Sequence, residues 1–220
     1  MIKKRTAILG TYNTAEYGWT LAEFKLSKAE QKLKYIEKVG GDGSIDVSTV
    51  LTDGIPRYKN RDLSITLECS QGNREHRQQM ISHMINLLDG FEWPIVPPDH
   101  PDYFLTGRLH IEKKYSDLAH ASVVVTGSVA PWLYKRRETV KEGTASIKPQ
   151  NLLLRNEGRL AVVPRVAIDG NICITYGETV MQLPVGVYDL PSLLLTTGDH
   201  YITYSGEGTL RISYREGVLE

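Results

Sequence analysis

Cysteine is almost absent from this 220-residue chain: Cys69 and Cys173, far apart in sequence, are the two present. That spacing excludes a disulfide framework and a multi-cysteine zinc site. Both lie among strand-forming residues, where a small buried apolar side chain is the expected role. Phenylalanine is nearly as scarce, three residues against twelve tyrosines. An excess of one charge is missing too, since 26 Lys and Arg balance 26 Asp and Glu. A protein built to coat nucleic acid needs a basic excess, so no specific nucleic-acid partner is expected. Zero net charge also removes the self-repulsion that keeps monomers apart. Long apolar runs are lacking as well. Val123–Val125 and Leu193–Leu195 are among the longest, far short of the roughly 20 residues that span a bilayer. The basic start Met1–Arg5 leads into no apolar signal core, so the sequence predicts cytosolic synthesis and no membrane partner.

Catalytic and cofactor templates are missing in the same way. There is no nucleophile elbow, phosphate loop, paired-histidine zinc motif or dinucleotide glycine fingerprint, so no enzyme activity and no cofactor are expected. His76 and His83 share a helix face, but no third ligand stands beside them in sequence. Asp99-His100-Pro101-Asp102 is the densest set of ligand types, yet it lies in a turn marked by Pro94, Pro97, Pro98 and Pro101, where Asp and Pro are ordinary loop formers. Asp199-His200 has no serine at a telling spacing. Gly40-Gly41-Asp42-Gly43-Ser44 lacks the Lys and helix of a phosphate site, which leaves a glycine-rich hairpin or strand connection. Trp93, Tyr103, Phe104 and Trp132 are either a sugar-stacking platform or ordinary core and interface anchors.

What is present is mainly β pattern. Leu63–Cys69, Thr106–Lys114 and Ser122–Val129 read as strands in the first part. One amphipathic helix is predicted over about 73–89, with Asn73 as N-cap, Glu75 near the positive end and Gly90 after the C-terminus. Its apolar face carries Met80, Ile81, Met84, Ile85, Leu87 and Leu88; its polar face carries Arg74, Arg77, Gln78, Gln79 and Asn86. Ser27-Lys28-Ala29-Glu30 has capping-box spacing ahead of Lys32–Val39, but Leu33, Tyr35 and Val39 also fit a period of two. The residues alone leave helix and strand open there.

The second part reads as short strands: Leu160–Val163, Val166–Ile168, Ile172–Tyr176, His200–Tyr204 and Thr209–Tyr214. Asp169-Gly170-Asn171 and Gly206-Glu207-Gly208 mark turns between them, a pattern that predicts a β-sandwich or jelly roll. The domains expected are 1–135, a linker over 136–150, and 151–220. Charge divides weakly along the same line: residues 1–137 hold 19 basic and 16 acidic side chains, the remainder 7 and 10.

Several segments in order resemble the distal tail proteins of siphophage-type tails, especially those from prophages of Gram-positive bacteria. They are Gly40–Ser48, Tyr58–Arg61, the strand Leu63–Cys69, the helix end Leu87–Gly90, the turn through Asp99, Asp102-Tyr103-Phe104-Leu105-Thr106-Gly107-Arg108, and Ala130–Tyr134. Asn156–Arg159, Val163-Pro164 and Ile212–Gly217 resemble the carboxy-terminal, galectin-like β-sandwich of that family, here unusually short. The resemblance favours strand for Lys32–Val39. It implies a virion structural protein, a hexameric ring at the tail tip or baseplate that joins the tail tube protein to a hub, fibre or receptor-binding protein. Such a protein is made in the bacterial host cytoplasm and assembled in the tail of a virion, prophage product or phage-like particle. Gly40, Gly41, Asp42, Gly43 and Ser44, with Pro97, Pro98, Asp99 and Tyr103, are then the expected intersubunit or hub contacts. The alternative is a carbohydrate-binding module recognising a host glycan, with Tyr176, Tyr188, Tyr201 and Tyr204 as candidates.

Overall fold

Apolar residues spaced two apart dominate both halves of the sequence, and the backbone they specify is strand. The computed structural model describes residues 6–52, 54–116 and 119–219. The chain divides into two units, the first ending at Leu133 and the second spanning Tyr134–Leu219.

The first unit contains β1 (Ile8–Leu9), β2 (Tyr12–Asn13), β3 (Thr20–Leu26), β4 (Tyr35–Glu37), β5 (Ser44–Asp46), β6 (Arg61–Cys69), α1 (Arg74–Leu88), β7 (Glu92–Val96), β8 (Tyr103–Ser116) and β9 (Ala121–Val129). Its main sheet runs β2-β1-β7-β8-β9-β6-β3 with antiparallel neighbours, while β4 and β5 pair only with each other. Odd-numbered residues of β6, β8 and β9 face inward. Ile65 lies opposite Val125, and Val125 opposite Ile111, in one row across three strands. All three are buried, and each such side chain contributes about 1.5–3 kcal/mol.

Helix α1 packs on β8. The Asn73 side chain caps it by accepting from the His76 backbone N–H at 2.8 Å. Arg77 does not lie on the polar face as expected. It is 1% exposed, in line with Ile81, Met84 and Leu88, and its guanidinium donates to the Gln71 and Gly72 carbonyls at 3.3 and 2.5 Å. Those carbonyls belong to the loop entering the helix, so an arginine satisfies polar groups that helical periodicity alone leaves out.

The second unit contains β11 (Thr139–Ala145), β12 (Gln150–Asn156), β13 (Arg165–Tyr176), β14 (Thr179–Leu183), β15 (Gly186–Asp189), β16 (Gly198–Tyr214) and β17 (Gly217–Val218); β10 (Leu133–Lys135) lies at the boundary between the units. Residues 139–145, read from sequence as linker, are a strand paired along their length with Tyr214–Gly208. Two further corrections concern glycine. Val166–Ile168 and Ile172–Tyr176 are one strand, β13, and His200–Tyr204 and Thr209–Tyr214 are another, β16. The supposed turn residues sit within the strands and face each other, Gly170 opposite Gly208 and Ile172 opposite Gly206. Leu160–Val163 forms no strand; Val162 bridges to Leu195, and Leu160 N–H donates to the Gly217 carbonyl at 3.1 Å.

The reason is geometric. Val166, Ile168, Ile172 and Ile174 share one face of β13, and Ile202, Tyr204, Leu210, Ile212 and Tyr214 share the matching face of β16; all belong to one core. Gly170, Gly206 and Gly208 fall on that same face, where the sheet curls inward. Their φ angles are 132°, 128° and 107°, in the region only glycine adopts readily. A Cβ at Gly208 would stand 1.7 Å from the Asp169 carbonyl oxygen. The strands bend without breaking, and each half of the sheet serves the core of the other.

A polar clasp ties the first residues of this unit to its last. Glu216, 2% exposed, accepts from Lys135 Nζ at 2.6 Å and from Thr139 Oγ1 at 2.8 Å. Arg215 donates to the Lys135 and Arg136 carbonyls at 2.6 and 2.7 Å and pairs with Glu138 at 3.0 Å. Replacing Glu216 leaves Lys135 with its longer contact to Glu157 at 3.3 Å and takes the acceptor from Thr139 Oγ1.

Stability measurements on three variants check these accounts. Gly208→Ala is expected to destabilise the second unit by about 3 kcal/mol or more in denaturant titration, because strain and a backbone clash combine. Gly177→Ala, at a positive φ with open space around it, should lose only about 1 kcal/mol. Glu216→Gln should lose about 2 kcal/mol through the clasp, with the first unit's transition unchanged.

Candidate interaction surfaces

The nine positions expected to make contacts fall in two places. Gly40–Gly43 form the turn of the β4–β5 hairpin, and Ser44 opens β5. The contested stretch before them is therefore extended, with Tyr35–Glu37 as strand and no helix after the capping-box sequence. The hairpin caps a longer arm. At its root Lys32 N–H donates to the Arg57 carbonyl and Lys59 N–H to the Glu30 carbonyl, both at 2.8 Å. Gln31 bridges to Tyr58, and Lys59 pairs with Glu30 at 3.1 Å. Farther out, Ser48 Oγ accepts from Lys34 N–H at 2.7 Å.

The arm is apolar and uncovered. Leu33, Tyr35, Ile36, Val39, Ile45, Val50 and Leu51 are all exposed, with Val39 and Leu51 almost wholly so. The residues alone leave helix and strand open over Lys32–Val39, and the family resemblance favours strand; neither reports the exposure, because period two equally describes a buried strand.

Pro97, Pro98 and Asp99 form the turn between β7 and β8, and Tyr103 opens β8. His100 N–H donates to the Pro97 carbonyl at 3.3 Å and Tyr103 N–H to the His100 carbonyl at 3.0 Å. This turn meets the ends of β3 and β6. Phe24, Leu26, Lys28, Arg61, Pro97, Asp99 and His100 line a cavity of about 570 Å³. Arg61 is buried and anchored by Nε donating to the Ser27 carbonyl at 2.5 Å. None of Gly40–Ser44 lines this cavity, so the two predicted groups are separate in one chain. Phe24, Leu26, Lys28 and Arg61 were missed in sequence because they are brought together only by sheet order.

The other candidates do not converge. Among the described residues no three of His, Cys, Asp and Glu gather as a metal site. His83 stands against Tyr17 at 5.6 Å and Tyr12 at 6.2 Å. His76 packs near Gly72. The His200 imidazole contacts Tyr176 Oη and the Thr196 carbonyl, each at 2.7 Å, while Asp199 faces Arg155 at 3.3 Å; no serine is in this set. Trp132 meets Tyr58 edge-on at 5.4 Å, Trp93 packs over Gly10, and Tyr103 meets His100 edge-on at 6.5 Å, so these three rings have different packing partners. Tyr204 is buried and donates to Gln150 at 2.8 Å, whereas Tyr201 is exposed. Cys69 is buried and Cys173 half-buried, both free. No helix among the described residues is long and apolar enough to cross a membrane.

No family model matches the chain, and no curated protein does. Among solved structures, the phage SPP1 Dit protein, described as a paradigm of the hub adsorption apparatus in Gram-positive infecting phages, superposes with a TM-score of 0.67. The match covers 96% of this chain and 98% of that one at 14% identity. The chain has the Dit fold. The β-rich architecture with a single helix among the described residues agrees with the fold class expected from sequence, and the likeness extends over both units rather than over one sheet.

Alkaline titration offers a check on the first unit. Burial pushes the Tyr12 phenol up to about 12, against the smaller opposing effect of the hydrogen bond it accepts from Trp19. A raised folded pKa means its stabilisation is complete below pH 10 and is lost as pH rises from 10 to about 12. Stability should fall by about 2 kcal/mol across that window. Tyr12→Phe should flatten this part of the pH profile.

Proposed function

We propose that this protein is a structural component of a phage or phage-like tail tip. Copies of it assemble into a ring, hexameric as the family resemblance implies, that joins the tail tube to a hub, fibre or receptor-binding protein. The chain is made in the host cytoplasm and works within the assembled tail. The observation that carries this reading is the full-length fold match to a hub adsorption protein, 96% of one chain against 98% of the other. Fold alone does not set function, but the surface agrees with it. Seven large apolar side chains on one arm exceed what a free monomer normally leaves in water, and their burial calls for a protein partner.

A ring needs a head-to-tail contact of about 1,000 Å² or more at each joint. Native mass measurement and negative-stain imaging test this directly, on the chain alone and mixed with tube-end and hub proteins. Rings are expected in at least one of these conditions, and a strict monomer in all of them would sink the proposal. Replacing residues 33–51 with a short Gly-Ser link should abolish the ring while the helix and main sheet still fold.

One observation favours a second reading, glycan binding by the second unit. Asn151, Thr203, Thr175 and Val180 form an uncharged outward row across β12, β16, β13 and β14, with Leu153 and Tyr201 paired beside it. The other half of the sheet carries the ion pairs Arg165–Asp189 and Arg211–Glu142 instead. A glycan array with the full chain, and with Tyr201→Ala, separates the readings: binding that is lost in the variant favours sugar recognition.

A further inference from the structure

The arm tip and the cavity are separate surfaces of one chain. We infer that they are the two halves of one joint: the arm tip of one copy, Val39–Ser44, seats in the cavity beside the arm root of the next. This rests on the ring reading and names the contact that closes it.

Three observations carry the inference. The first is reach. The cavity wall includes Lys28 and Arg61, which flank the arm root at Glu30 and Lys59. From that root the arm is held extended by the Gln31–Tyr58 bridge, the Lys34–Ser48 bond and the β4–β5 pairing. Eight residues from Lys32 to Gly40 at roughly 3.3 Å each span up to about 26 Å. None of Val39–Ser44 lines the chain's own cavity, which leaves that cavity open to the tip of another copy. Root cavity and distal tip are different surfaces, so the contact is heterologous, the kind that propagates around a ring.

The second is complementary chemistry. The tip presents Val39, fully exposed, and the Asp42 carboxylate. The cavity is lined by Phe24, Leu26 and Pro97 together with Lys28, Arg61, His100 and Asp99. An apolar side chain and an acid enter a recess that offers apolar residues and basic ones, Lys28 among them.

The third is the slimness of the tip. Gly40 and Gly43 have positive φ, which explains them, but Gly41 does not. A Cβ on Gly41 would meet only Lys38 Cβ, at 3.9 Å. Nothing in the chain's own fold requires glycine there. A turn that must enter a cavity of about 570 Å³ does require a thin profile.

The test is charge exchange in the full-length chain, read by sedimentation and native mass across a concentration series, with the tube-end or hub protein added if wild type needs it. Asp42→Lys and Lys28→Glu should each raise the concentration for half-assembly by about tenfold or more. The double variant Asp42→Lys/Lys28→Glu should return to within about threefold of wild type, a recovery that mere misfolding would not give. Gly41→Trp should block assembly with an unchanged thermal midpoint. Wild-type-like assembly of both single variants and of Gly41→Trp overturns the inference. So does a double variant as impaired as the singles, or variants that keep self-assembly and lose only hub binding. A wild-type chain that forms no ring under any condition removes the ring reading itself, whereas rings indifferent to these substitutions remove only this joint.

Discussion

A β-sheet with one apolar face must have that face covered, and the two units meet this requirement by different means. In the first, the inward row through Ile65, Val125 and Ile111 belongs to a sheet against which α1 lays Ile81, Met84 and Leu88. In the second, no helix occurs among the described residues, so the sheet covers itself by curling. Curling brings the backbones of β13 and β16 close on the concave side, and every residue at the bend on that side is glycine: Gly170, Gly206 and Gly208. The pairing register, the shared core and the side-by-side placement of β11 and β12 along β16 all follow from those three missing side chains.

This constraint also explains which parts were legible in sequence. Alternation in β6 and β9 and helical spacing in α1 report directly which face is buried, so those elements were found with accurate boundaries. Glycine clusters carry an ambiguous message. Asp169-Gly170-Asn171 and Gly206-Glu207-Gly208 have turn composition, but a turn and a tight inward bend both need backbone without Cβ. Only the long partner strand distinguishes them, and pairing is not written locally. Residues 139–145 misled for a related reason. Edge strand β11 is mostly exposed, so its charge and lack of apolar rhythm looked like linker although its backbone is fully paired.

The candidate surfaces show the same division. The glycine-rich hairpin and proline turn were visible as distinctive local composition. The cavity was not, because Phe24, Leu26 and Lys28, in and just after β3, gain meaning only once sheet order sets them beside Arg61 of β6 and Pro97 and Asp99 of the β7–β8 turn. Arg77 is the mirror case: a charged residue on a helix looked solvated, yet the carbonyls of Gln71 and Gly72 needed a donor inside.

These constraints bear on how a fold match over nearly the whole chain coexists with 14% identity. The architecture depends on parity along strands, on a few positions where a Cβ cannot be accommodated, and on satisfied polar ends. Many apolar residues can fill an inward position, and substitutions that keep volume and pattern are tolerated. An assembly contact is held to a different standard. It needs particular charges and shapes on two surfaces at once, so a change on one side is neutral only when the other side changes with it. On the proposed joint, the arm tip and cavity of two proteins of this fold should therefore differ as a matched pair even where the cores keep the same pattern. In the proposed ring each protein would close the contact with its own residues, and zero net charge is compatible with such local complementarity.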